Sequence, residues 1–339
     1  MMRGNLLYLI LFAGSMLISE DVFSKGFTNP YEFTIDYQMT SSLPENAAIR
    51  FLIISNRDFA PDKNYEYERG VSKDGNRYFF IVSRTNDSTY LTSYNSIESA
   101  FSVFNDDKPF LVFVNGHGKN FEHSISRGFE LSERYNLNMI IFDWPTEYYA
   151  LRKTARNAKR VTANFALSID ELNDVFEKRN INSNISVIFH SMGNHIARNM
   201  VRKDYLDELP EDIFQNLILN AAAVRQRNHR KWVDKLDIQD HIYIVSNRND
   251  LPLKGVKLLR LTTPLGAKYS GKLSEKAEYI NFSEIADKEH NIFLGKTEVE
   301  KNHPSVYNFY QALFNGTEVD LQNRKEFAEI SNGSGYFIL

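Results

Sequence analysis

From about Phe110 onward the chain alternates between short apolar runs and longer amphipathic stretches, and few folds accept that rhythm. The runs are Phe110–Val114, Asn138–Asp143, Ile185–His190, 215–220, 241–246 and 278–282. Each is nearly continuous in apolar or β-branched residues, which predicts strands covered on both faces. Between them, Phe121–Tyr135, 154–177, 191–203, 225–236 and 304–314 read as helices. Strand–helix alternation of this kind predicts right-handed βαβ units: a mostly parallel central sheet with helices on both faces.

The first hundred residues follow another pattern. Residues 31–37, 49–55 and 77–83 read as strands, separated by turn signals such as Ser42-Leu43-Pro44 and Lys73-Asp74-Gly75. No helix of clear period intervenes before Asn95. This predicts an N-terminal antiparallel β extension of the same sheet, with a separate small β domain as the alternative. The chain then divides into a leader (1–24), the β extension (25–105), an α/β domain (106–320) and a C-terminal tail (321–339).

The leader has the composition of a secretory signal. Met1-Met2-Arg3 is positive, residues 6–18 are apolar apart from Gly14 and Ser15, and Val22-Phe23-Ser24 offers a small-x-small cleavage site. A spanning helix needs about 20 apolar residues, and Glu20-Asp21 ends this run short of that. The expectation is export to a periplasmic or extracellular location, with no membrane span after cleavage. The chain contains no cysteine, which excludes thiol catalysis, thiolate metal sites and disulfides. A net charge of −3 over 339 residues lacks the basic footprint of a nucleic-acid binder.

The sharpest chemical signal is Phe189-His190-Ser191-Met192-Gly193, at the end of one predicted strand and the start of a helix. A serine there sits on a sharp turn with its hydroxyl above the sheet. The helix N-terminus beneath it supplies unpaired N–H groups and partial positive charge. The same pattern also fits a serine N-cap of an ordinary helix. The usual elbow is G-x-S-x-G, and Phe189 stands at its first glycine, where bulk is expected to loosen the turn. A second signal, Asn115-Gly116-His117-Gly118-Lys119-Asn120-Phe121, directly follows another strand. Such a loop donates one oxyanion-hole N–H and the residue after the nucleophile the other, which points to His117 and Met192. Gly116-x-Gly118-x-x-Phe121 also mimics part of a dinucleotide fingerprint, without its third glycine.

Chain order in this arrangement runs serine, acid, histidine. Asp250 follows a late strand and is the acid candidate; Asn249-Asp250-Leu251-Pro252 is equally good turn chemistry. His290 and His303 are the histidines beyond it, and fold order favours His290, with His303 as runner-up. Asp287, Glu289 and His290 are metal-ligand types without helical spacing, so no metal or other cofactor is called for. The basic run Arg152, Lys153, Arg156, Lys159 and Arg160 reads as an exposed helix face, or as a border that attracts an anionic substrate.

These residues resemble a family. Residues 113–122, Phe142-Asp143-Trp144-Pro145, residues 189–194, Ser55-Asn56-Arg57 and Asp250-Leu251 are similar to a bacterial esterase/lipase-type branch of the α/β-hydrolases, over about 49–314. Members commonly carry His-Gly where this chain has Asn115-Gly116, and a small residue at Phe189. The resemblance implies an α/β-hydrolase fold and acyl transfer to water. His290-Asn291-Ile292-Phe293 matches the family's histidine followed by an aromatic better than His303 does. The function expected is a serine hydrolase of a small-molecule ester, thioester or lipid. The alternative is a binding protein that kept the fold and lost the chemistry.

Overall fold

The computed structural model describes residues 35–60, 66–72, 75–85, 88–146, 150–181, 184–295, 298–331 and 334–339. The leader, and residues 31–34 of the first expected strand, lie outside them.

The strands are β1 (Gln38–Thr40), β2 (Ile49–Ser55), β3 (Arg57–Ala60), β4 (Glu66–Val71), β5 (Tyr78–Arg84), β6 (Thr89–Tyr94), β7 (Phe110–Val114), β8 (Asn138–Asp143), β9 (Ile185–His190), β10 (Phe214–Asn220), β11 (Gln239–Ser246), β12 (Ala277–Asn281), β13 (Phe327–Glu329) and β14 (Tyr336–Ile338). The helices are α1 (Ile97–Phe101), α2 (Phe121–Tyr135), α3 (Leu151–Lys178), α4 (Asn194–Arg202), α5 (Arg230–Val233), α6 (Leu251–Arg260), α7 (Glu298–Asn302) and α8 (Ser305–Phe314). Twelve strands form one sheet in the order β1-β6-β5-β2-β8-β7-β9-β10-β11-β12-β14-β13, and β3-β4 form a separate ribbon. From β2 to β14 every neighbouring pair is parallel. The pairs β2–β5 and β5–β6 are antiparallel, so the N-terminal strands extend the main sheet.

The continuous apolar runs exist because both sheet faces are covered. Along β7, Phe110, Val112 and Val114 enter one core with α1, α3 and α4. Leu111 and Phe113 enter the opposite core with α2 and α8. The chain leaves β7 to pair β8 on one side and later β9 on the other. Sheets of this kind bind ligands at such a reversal, outside the carboxyl ends of the strands.

Three expectations need correction. Residues 321–339, read as a tail, carry β13 and β14, which close one edge of the sheet; three-residue strands with half-exposed Tyr336 and Phe337 leave too little period to detect. Residues 225–236 are not one helix: only α5 is helical, and Arg225 bridges Pro264 instead. The turn chemistry of Asn249-Asp250-Leu251-Pro252 opens a helix, α6, because the Asp250 carboxylate caps it and Pro252 is tolerated in its first turn. Among the described residues no helix is long and apolar enough to cross a membrane.

Candidate active site

Ser191 leaves β9 with φ 53°, a left-handed conformation that a side chain normally avoids. A single 3-10 turn over Ser191–Gly193 then leads into α4. Three features hold this turn. A Cβ on Gly193 would lie 2.8 Å from the carbonyl oxygens of both Val114 and Asn115, so only glycine lets the helix start approach β7 this closely. The Asn194 amide donates to the carbonyls of Phe189 (2.6 Å) and Ser191 (3.1 Å), tying the two sides of the elbow. The Ala223 N–H donates to the Ser191 carbonyl at 3.1 Å, anchoring the elbow to the loop after β10.

Phe189 does not loosen the turn. Its ring points into the core beneath α3, 5.4 Å from Phe165, and its carbonyl is taken up by Asn194. Strand alternation sends the bulk away from the serine.

The loop after β7 lies directly over the elbow. A Cβ at Gly116 would meet the Ser191 Cβ at 2.8 Å, so that glycine is required by serine packing; a nucleotide is not needed to explain it. At the third glycine position of the partial dinucleotide pattern stands Phe121, fully buried in the core. His117 directs Nδ1 to the Thr154 hydroxyl at 2.9 Å, fixing the loop to the first turn of α3. Met192, fully buried, is the first residue after the serine, where helix-start N–H groups lack intrahelical acceptors.

Beneath that loop runs a buried polar network. The Asp143 carboxylate, at the end of β8, accepts from Arg57 Nε (2.8 Å), Ser55 Oγ (2.6 Å) and Ser124 Oγ (2.7 Å). Ser124 accepts in turn from the Asn115 side chain at 2.8 Å. Arg57 Nη2 also donates to the Lys119 carbonyl at 2.9 Å, and the Trp144 indole N–H donates to the Asn115 carbonyl at 3.0 Å. Both ends of residues 115–119 are therefore pinned by groups with almost no solvent exposure. The resemblance marks these residues, but no spacing pairs Arg57 with Asp143 across the sequence. Asn115, the departure from His-Gly, finds its use here as the link to Ser124.

Asp250 and His290 come together across 40 residues: His290 Nδ1 lies 2.6 Å from Asp250 Oδ2. The Asp250 side chain is 1% exposed and that of His290 13%. The other Asp250 oxygen accepts the Leu253 N–H at 2.8 Å, so the helix cap holds the carboxylate oriented. The two loops are stitched to each other. The Asn247 side chain donates to the carbonyls of Asp287 and Glu289, each at 3.0 Å, and the Leu251 N–H reaches the Lys288 carbonyl at 3.3 Å. The sequence carries no motif for Asn247. The His290 ring lies 4.6 Å from that of His190, the residue before Ser191. His303 sits at the α7–α8 junction, its N–H on the Val299 carbonyl and its carbonyl on the Val306 N–H; Asp250 pairs with His290 rather than with it. Among the described residues no group of three or more His, Asp or Glu is placed to hold a metal ion.

His190 is neutral. Burial drives its pKa well below the ordinary value, and the neighbouring His290 and Arg127 charges add to this. Its Nδ1 accepts from the Asn220 amide at 3.0 Å, and Asn220 accepts from the Tyr310 hydroxyl at 2.8 Å. His195, on the first turn of α4, is lowered to about 3 by burial, then by Arg260 and Arg198. Both histidines refuse protons that the unfolded chain accepts below its ordinary pKa of about 6.5. Stability should therefore fall as pH drops below about 6.5, by up to roughly 1.4 kcal/mol per pH unit for each histidine. Urea midpoints between pH 7 and 4.5 read this directly; His195→Gln should flatten the slope.

A strand–serine–helix elbow at the reversal point of a largely parallel sheet defines an α/β-hydrolase. The chain belongs to the family described as alpha/beta hydrolase of unknown function (DUF900), whose profile matches residues 95–300. No curated protein matches the chain. Among solved structures it is similar to the BES protein from Bacillus cereus, with 11% identity, 85% of this chain and 100% of that chain covered, and a TM-score of 0.38. It is also similar to a putative hydrolase from Agrobacterium vitis S4, with 10% identity, 72% and 96% covered, and a TM-score of 0.34. The family match carries the assignment.

Proposed function

We propose that the protein is an exported serine hydrolase that cleaves an ester-type substrate, a carboxylester, lipid or thioester, through an acyl-enzyme on Ser191. The observation that carries this reading is the 2.6 Å contact between a buried, capped Asp250 and His290, with the His290 ring against the residue preceding a serine held at φ 53°.

The reaction needs no cofactor. Ser191 Oγ attacks the acyl carbon while His290 Nε2 takes the hydroxyl proton. The oxyanion is held by the N–H groups of Met192 and His117. The C–O or C–S bond breaks, and the leaving group departs with the proton from His290. Water then attacks the acyl-enzyme, giving its proton to His290, and Ser191 is released as the hydroxyl. Asp250 accepts from His290 Nδ1–H throughout, fixing the tautomer and stabilising the imidazolium. Neutral His190 places no second full charge beside that imidazolium.

His290→Ala should lower kcat on a p-nitrophenyl acyl ester by about 10³-fold or more, while His303→Ala changes it by less than about threefold. Equal losses in the two variants would reverse the assignment. Export rests on the composition of residues 1–24. Expression of the full chain should yield a secreted or periplasmic product whose N-terminal sequencing begins near Lys25; an intact Met1 in the cytoplasm contradicts it.

A further inference from the structure

A cluster of charge lines a groove whose walls do not include Ser191. This groove of ≈ 400 Å³ is lined by Arg198, Arg202, Arg225, Arg227, Lys231 and Lys235, with Asp204 as the one acid in its wall. All of the six but Arg198 are solvent-exposed. Among the described residues none of the six has a carboxylate within ion-pair distance. This is unusual on a chain whose net charge is −3.

The arrangement carries its own repulsion. Arg198 and Arg202 are four residues apart on α4, and Lys231 and Lys235 are four apart along and just beyond α5. Like charges at that spacing destabilise a helix. Arg198 is half-buried, and its pKa is lowered by that burial and by the charges of Arg202 and Arg260. Trp232 is buried in the groove wall. Clustered guanidinium and ammonium groups form a receptor for oxyanions.

We propose that this groove is a binding site for a compact, multiply charged phosphate compound. Its volume falls in the range of small-molecule sites. Its cations converge on one concavity, whereas a nucleic-acid duplex needs a stripe that follows its backbone. The phosphate can come from a soluble compound or from the headgroup of a phosphorylated lipid. The lining contains none of Ser191, Asp250 and His290, and binding is read without turnover, so its fate and that of the hydrolase reading are separable.

Inorganic pyrophosphate titrated into the full chain at low ionic strength, followed by calorimetry, tests the proposal. Binding is expected, and Arg225→Glu/Arg227→Glu should weaken it by about tenfold or more, because two attractive charges become repulsive. Lys272→Glu/Lys325→Glu makes the same change in net charge on exposed residues outside the groove and should leave affinity within about twofold. Both variants change only exposed side chains, and matching urea midpoints verify that they are folded. Absence of pyrophosphate binding, or equal weakening in the two variants, overturns the proposal. So does tighter binding of duplex DNA that Arg225→Glu/Arg227→Glu abolishes, which would assign the groove to nucleic acid. Co-sedimentation with phosphatidate-containing vesicles but not with phosphatidylcholine vesicles, displaced by pyrophosphate, assigns the phosphate to a lipid. Pyrophosphate binding without co-sedimentation assigns it to a soluble compound.

Discussion

Ser191→Ala is expected to lower ester hydrolysis by about 10⁴-fold or more while leaving the fold in place. Ser191→Gly should be equally inactive, yet more stable than the parent by roughly 0.5–2 kcal/mol. Ser191 stands at φ 53°, a conformation that costs a side chain about 1–3 kcal/mol and glycine almost nothing. Alanine inherits the strain and glycine relieves it. A urea titration of the three proteins separates the effects: activity should vanish in both variants, and stability should rise in one. If the glycine variant is less stable than the alanine variant, the elbow is not strained in the way described.

The second large effect concerns a residue that touches no substrate. Asp143→Ala removes the acceptor of Arg57, Ser55 and Ser124 together. The Arg57 side chain is 3% exposed, so its buried charge loses the Asp143 carboxylate. Breaking a buried pair in this way destabilises by about 3–5 kcal/mol, whereas replacing both partners with apolar groups of similar volume is often close to neutral. Asp143→Ala should therefore lower the urea midpoint sharply, and Arg57→Met/Asp143→Leu should recover most of that loss. Activity should stay low in the double variant, because residues 115–119 lose the Arg57 bond to the Lys119 carbonyl, and Ser124, which holds the Asn115 side chain, loses its Asp143 acceptor. Recovery of stability without recovery of kcat would separate the loop-positioning part of the network from its part in folding. Full recovery of both would show that Asp143 only fills space.

The pattern of the sequence makes the frame of this protein legible, and its exceptions have physical causes. Phe121–Tyr135 is read to the residue because its apolar period is long, Asn120 caps one end and Asn136 adopts the left-handed cap at the other. The strands β7, β8 and β9 are equally plain, since both their faces are buried and no polar alternation interrupts them. The edges are less legible. β6, TYLTSY, and the ribbon β3–β4 alternate with polar residues and lean on tertiary pairing. α6 is hidden by Pro252 and Gly255, and it becomes a helix because the Asp250 cap and the contact of its start with the His290 loop hold it there.

The candidate site shows the same division. Ser191, Asp250 and His290 stand out as candidates in the sequence because this fold expects serine, acid and histidine in that chain order, and the structure brings Asp250 and His290 together. Phe189 is misjudged because a motif position is not a direction: alternation along β9 sends its ring to the core. Asn194, Asn247 and the Arg57–Asp143 pair hold the geometry, and sequence reasoning assigned none of them a role. Their partners are backbone carbonyls and residues far along the chain, which one-dimensional spacing cannot display. The charge of the groove is invisible for a related reason. Its cations come from α4, from the loop after β10 and from the neighbourhood of α5, and the whole-chain charge of −3 averages them away.

The most direct test of the central claim is labelling of the purified protein with a fluorophosphonate, read by intact mass and peptide mapping, beside Ser191→Ala and His290→Ala. The reagent reacts only with a serine made nucleophilic by its surroundings. The expected result is a single adduct on Ser191, absent from the alanine variant and much slower to form in His290→Ala. A folded protein that takes up no label, or one that is labelled equally after Ser191→Ala, would contradict the account.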